Sequence, residues 1–141
     1  MRGYFILIEI SDADLIDLLA GRKPEVEVGV LPHEVRNYLG CSRDTVYLTQ
    51  HSLLHILQRH GDHVAPEDIR LAPEVMMRGL WLSDDRPNFA VVSCLVDELR
   101  FRAVVKTTVD RRRNYLSTFH RMAKRQTRSL LKRGTVLRQA W

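Results

Sequence analysis

Four side chains have the types needed for acid–base work on a phosphodiester: His60, Thr118, His120 and Lys106. Metal-independent RNA cleavage needs a base for the 2′-hydroxyl proton and an acid for the departing 5′-oxygen. It also needs positive charge on the phosphate as it becomes pentavalent. A histidine serves either proton role near neutral pH, so two histidines, a cation and a hydroxyl facing one cleft would suffice without a cofactor. On periodicity alone, a packed helix histidine at 60 and surface strand residues at 118 and 120 fit the same pattern equally well.

The placement of these residues rests on two elements. Arg113 to Arg121 alternates apolar or aromatic with polar residues, as a half-buried strand does. It is expected to send Tyr115, Ser117 and Phe119 to one face and Leu116, Thr118 and His120 to the other. Gln50 to His60 is the clearest helix. Leu53, Leu54, Ile56 and Leu57 make one apolar face that includes His60, whereas His51 and His55 fall opposite. Gly61 supplies a C-terminal stop.

His51 and His55 are four apart and could share a metal, but His51-Ser52-Leu53-Leu54-His55 lacks the glutamate of a zinc protease and has no evident third ligand. Neither metal nor cofactor is expected. A Gly-rich phosphate loop, a GxSxG elbow and catalytically spaced carboxylates are all missing from the sequence.

Charge is distributed unevenly. Before Leu99 there are 9 Lys or Arg against 16 Asp or Glu; from Leu99 onward there are 13 against the single Asp110. Arg102, the turn Arg111-Arg112-Arg113 and a helix expected over Arg121 to Arg133 carry most of this charge, with Lys124, Arg125 and Arg128 on the helix. Met122, Ala123, Leu130 and Leu131 are its expected buried part. Such a basic third is the footprint of a nucleic-acid partner, although an acidic protein or the acidic part of the same chain would also suit it.

The remaining elements follow in order. Tyr4 to Ile10 reads as a strand, Ser11 or Asp12 caps a helix ending near Gly21, and Arg22 to Gly29 reads as a linker. A short helix after Leu31-Pro32 stops at Gly40. Val46 to Thr49 is a short strand, and Pro66 and Pro73 bracket a helical segment. Phe89 to Val96 and Leu99 to Thr108 pair through Asp97-Glu98, with Leu99, Phe101, Ala103, Val105 and Thr107 sharing one face. Thr135 to Leu137 is a last short strand. Helices first and a meander second make an α+β fold: N-terminal helices on a small antiparallel sheet, closed by a basic C-terminal helix. Residues 1–45 read as an accessory lobe and 46–141 as the main domain, within one compact unit. Length, composition, the short apolar runs and the absence of a cleavable leader pattern point to a cytoplasmic chain without a membrane partner. Cys41 and Cys94 are expected to be reduced thiols.

From about Val46 to Val136 the chain resembles the phage- and prophage-associated branch of the barnase–EndoU–colicin–RelE-like nuclease superfold. The resemblance is carried by His55-Ile56-Leu57-Gln58-Arg59-His60, by Phe101-Arg102-Ala103-Val104-Val105-Lys106, and by Tyr115-Leu116-Ser117-Thr118-Phe119-His120-Arg121 ahead of a basic helix. It implies a metal-independent ribonuclease of toxin or phage-effector type, aimed at transfer RNA or other cellular RNA, with a cognate inhibitor protein as a candidate partner. The residues carried over are His60, Thr118 and His120, and less firmly Lys106. A non-catalytic nucleic-acid-binding or virion-associated protein on the same fold is the alternative.

Overall fold

The computed structural model describes residues 8–59 and 64–140. Its fold is α+β, built on a seven-stranded sheet. The helix α1 (Asp12–Leu19) begins at a capping box: Ser11 Oγ accepts from the Asp14 amide, and the Asp14 carboxylate accepts from the Ser11 amide. Strand β1 (Glu25–Val30) follows, then α2 (His33–Leu39), β2 (Thr45–Thr49) and α3 (Gln50–Arg59). A 3-10 turn (Pro66–Leu71) leads into α4 (Ala72–Arg78). Then come β3 (Leu80–Ser83), β4 (Phe89–Val96), β5 (Leu99–Thr107), β6 (Asn114–Arg121), α5 (Lys124–Arg133) and β7 (Val136–Arg138).

The strand order is β1-β2-β6-β5-β4-β3-β7, antiparallel everywhere except between β2 and β6. One face of the sheet packs on α1, α3 and α4. Phe101, Ala103, Val105, Leu116 and Phe119 from the strands join Leu15, Leu18, Leu53, Ile56, Val75 and Met76 from the helices in one hydrophobic cluster. Phe101 and Phe119 stack with centroids 5.3 Å apart, and the buried Trp81 donates its indole N–H to Met76 O at 2.9 Å. At Gly29 the sheet approaches α4 closely, because a Cβ there would sit 2.2 Å from Met76 Sδ.

Several expectations are revised. The stretch read as a linker contains β1, whose Glu25-Val26-Glu27-Val28 alternation is that of an edge strand with Val26 and Val28 buried. β1 pairs with β2, and α1 and α2 contribute to the common core. The predicted strand at Tyr4 to Ile10 falls largely outside the described residues. The basic helix starts at Lys124 rather than Arg121, and Leu131 is exposed while Leu130 is half-buried. Met122 and Ala123 precede the helix. The Asp97-Glu98 loop closes β4 to β5 with φ of 49° and 66°, the geometry of a type I′ turn made without glycine.

Cys41 and Cys94 are free and buried, and burial pushes the Cys94 thiol above its ordinary range. Among the described residues no helix is long and apolar enough to cross a membrane.

Candidate functional site

The site forms on the sheet face opposite the main core, and a β-bulge decides which residues reach it. Val104 pairs with Thr118, but Val105 pairs with Leu116, so Ser117 is one residue too many in β6. The alternation expected from sequence therefore breaks there. Asn114, Leu116 and Phe119 face the helices; Tyr115, Thr118 and His120 face the other way.

His120 lies directly opposite Arg102 in the β5–β6 register. Both line a cleft of about 810 Å³ between the end of the sheet and α5, together with Arg121, Arg125, Gln126, Ser129, Leu130 and Arg133. Spacing of three to four residues brings Gln126, Ser129, Leu130 and Arg133 to one side of α5, which is the side that lines the cleft. The helix start is capped by the Gln126 side chain, which accepts from the Ala123 amide at 2.8 Å.

Arginines supply the charged residues that line this cleft. Burial depresses Arg102 below the ordinary arginine value; Asp84 opposes that, while the like charges of Arg86 and Arg133 add to it. Arg121 is instead held in its charged form by Asp68, with Nε–Oδ2 at 2.9 Å and Nη2–Oδ1 at 3.1 Å. Asp68 is buried, and its carboxylate also accepts from the Ala65 amide. His120 Nδ1 lies 2.8 Å from the Arg121 carbonyl oxygen, which can only accept. In that contact Nδ1 is the donor, so a neutral His120 ring would be the Nδ1–H tautomer.

Other sequence candidates lie elsewhere. Lys106 is exposed on the same sheet face but four residues along β5 from Arg102, about 13 Å away. Thr118 sits between them against the buried Val104; its Oγ1 is buried and has no hydrogen-bond partner among the described residues. His60 lies outside the described residues. Arg111, at φ 62°, donates to Leu39 O at 3.1 Å and so ties the β5–β6 turn to the end of α2. Arg113 pairs with Glu25 and lies over the Tyr47 ring, and Arg112 is exposed on the turn. Of the helix residues, Arg125 faces the cleft and Arg128 is exposed, whereas the Lys124 side chain is not among those described. His51 and His55 are both exposed on α3, and no group of three potential ligands gathers among the described residues.

Asp68, Asp84, Arg133 and Ser129 had no individual signal in the sequence. The Asp68–Arg121 pair joins residues 53 positions apart, beyond the reach of any local pattern.

Comparison with family models, with curated proteins and with solved structures finds no match for the chain.

Proposed function

We propose that the chain is a metal-independent RNA endonuclease of the ribonuclease-toxin or phage-effector type. The observation that supports this most is His120 set directly against a half-buried Arg102 in a cleft that also gathers Arg121, Arg125 and Arg133. A phosphodiester entering this cleft meets the half-buried Arg102 beside His120, with Arg125 and Arg133 along the wall, cations that would stabilise a pentavalent phosphate as its charge develops.

In this mechanism His120 Nε2 takes the proton of the ribose 2′-hydroxyl. The 2′-oxygen attacks phosphorus, the bond to the 5′-oxygen breaks, and that oxygen leaves with a proton from the catalytic acid. The products are a 2′,3′-cyclic phosphate and a 5′-hydroxyl. His60 is the sequence candidate for the acid. Arg102 and Arg125 hold the phosphate, while Arg121, anchored by Asp68, fixes the His120 ring through its carbonyl. Transfer RNA or another cellular RNA is the substrate class, with a cognate inhibitor protein as the expected partner.

A second reading is a non-catalytic RNA-binding protein that uses the same cleft. It is favoured by the position of Lys106 and Thr118 away from the cleft, in which His120 is the one histidine among the described residues.

Incubation with labelled total RNA in excess EDTA separates the two. Wild type should yield discrete fragments ending in 2′,3′-cyclic phosphate, while His120→Ala should yield none yet keep its fold and RNA affinity. Intact RNA with wild type, bound in a salt-sensitive manner, would select the binding reading.

A further inference from the structure

Beyond the cleft, the same sheet face carries a second pattern. Tyr47 of β2 pairs in register with Tyr115 of β6, Tyr115 with Lys106 of β5, and Lys106 with Phe89 of β4. Directly opposed residues share a face, so these side chains form one row across four strands, about 14 Å wide. Trp81, Phe101 and Phe119 lie buried in the main core, whereas these three rings are half-buried on the opposite face. Lys106 is exposed among them. The Tyr47 and Tyr115 centroids are 6.3 Å apart.

A guanidinium brackets the row at each end. Arg113 Cζ is 4.0 Å from the Tyr47 centroid, and Arg86 Cζ is 3.7 Å from that of Phe89. Each is held by a carboxylate, Arg113 by Glu25 and Arg86 by Asp84.

We infer that this row is a stacking platform for unpaired bases of a single-stranded RNA whose phosphate occupies the cleft. Nucleobases stack on aromatic rings and on guanidinium planes, and a sheet face presenting aromatic residues on neighbouring strands takes two or three bases. The two carboxylates hold the guanidinium planes in place and cancel their charge. The row therefore offers surface to bases, while phosphate attraction comes from Lys106 and the cleft. The exposed Glu27, which pairs with Tyr47 from β1, puts a negative charge at the far edge. An RNA strand is thus repelled beyond Tyr47 and directed back along β5 and β6 toward Arg102 and His120. Duplex RNA, whose base faces are already covered, gains nothing from the row.

The inference rests on the nuclease reading only for the choice of RNA as occupant. The test uses the full chain and a short single-stranded 2′-O-methyl oligonucleotide carrying 2-aminopurine, a probe that lacks the attacking hydroxyl and stays intact. Stacking predicts quenched 2-aminopurine emission on binding to wild type. Tyr115→Leu and Phe89→Leu should each weaken single-strand affinity about five- to a hundredfold, with Tyr115→Phe near wild type and duplex affinity unchanged. Unquenched emission in the wild-type complex overturns the inference even if a leucine variant fails to fold. So does equal weakening for duplex, or for heparin, which has charge but no bases. Absence of cleavage of ordinary RNA alongside intact stacking would defeat the nuclease reading alone. Cleavage with single-strand affinity indifferent to Tyr115 and Phe89 would defeat the platform alone.

Discussion

Thr118→Val should stabilise this protein. Thr118 Oγ1 is buried without a hydrogen-bond partner among the described residues. Its register neighbour Val104 is 1% exposed, and the same row continues through Val91 and Leu82, which are also buried. In the unfolded chain water satisfies that hydroxyl; in the folded chain its hydration is lost, at a cost of about 1–3 kcal/mol. Valine keeps the branched shape and puts a methyl where the neighbours are methyls. Allowing for relaxation around the half-buried residue, a gain of about 1–2 kcal/mol is expected. For a 141-residue chain the unfolding entropy is about 0.3 kcal/mol/K, so Tm should rise by about 3–7 °C. Thermal unfolding followed by circular dichroism, backed by a urea titration, measures this directly. Because Thr118 does not line the cleft, cleavage should continue at close to the wild-type rate. A fall in Tm would refute the reasoning, since it would mean that the hydroxyl makes a bond that valine removes.

Three further substitutions probe other parts of the fold. In Gly79→Ala the new Cβ would meet Val75 O at 2.6 Å and Ser93 O at 2.9 Å, and backbone oxygens move little. A loss of about 3 kcal/mol is expected, read as a lower urea midpoint, and an unchanged midpoint would contradict the packing at the start of β3. Replacing Asp97-Glu98 by Asn-Gly relieves two positive-φ residues and should add about 1 kcal/mol, visible as a higher Tm. A destabilised hairpin would rule out the type I′ geometry. For Asp84, burial alone raises the carboxyl pKa, but the Arg86 side-chain and backbone hydrogen bonds outweigh it and hold the group below its usual 3.8. Its contribution is therefore complete above about pH 4 and is lost as pH falls through the lowered folded value. Screening at the exposed Arg86 limits it to about 1 kcal/mol or less. The stability gap between wild type and Asp84→Asn should close on acidification, and a gap independent of pH would count against this ion pair.

What was legible in the sequence was local. The apolar stripe of α3 and the alternation of β5 have consistent periods. Leu53 and Ile56 are buried, although Leu54 of the same expected face is exposed. Phe101, Ala103, Val105 and Thr107 are buried on one face of β5, although Leu99 at its start is exposed. The bulge at Ser117 was not legible, because an extra residue without glycine leaves no mark on the pattern, yet it moves Tyr115 onto the face of His120. The density of arginines was equally blind to role. Arg113 and Arg121 have carboxylate partners 88 and 53 residues away, Arg111 braces a loop, and only the folded chain shows Arg102 depressed by burial in the cleft. Strand β1 was missed because Pro24 and a short Glu–Val alternation look like a linker until β2 is there to pair with it.

The single parallel contact in the sheet has a consequence for how the molecule opens. β2 meets β6 in only two register pairs, Val46 with Asn114 and Tyr47 with Tyr115. The buried Asn114 amide reinforces this seam by donating to Arg43 O and Thr45 O, the latter 69 residues away, while Thr107 Oγ1 donates to its carbonyl oxygen. On one side lies the β1–β2 hairpin; on the other, the meander of β3 to β6 is held by long antiparallel ladders between sequence neighbours. Closing the seam is the costly long-range step, so the meander should assemble first and the hairpin should join late. Under native conditions amide exchange should divide along the same line, with β1 and β2 releasing their protons as one cooperative unit while β4, β5 and β6 stay protected. Because Tyr47 and Glu27 ride on the hairpin, such an opening would carry away one end of the aromatic row and leave the Arg102–His120 pair in place.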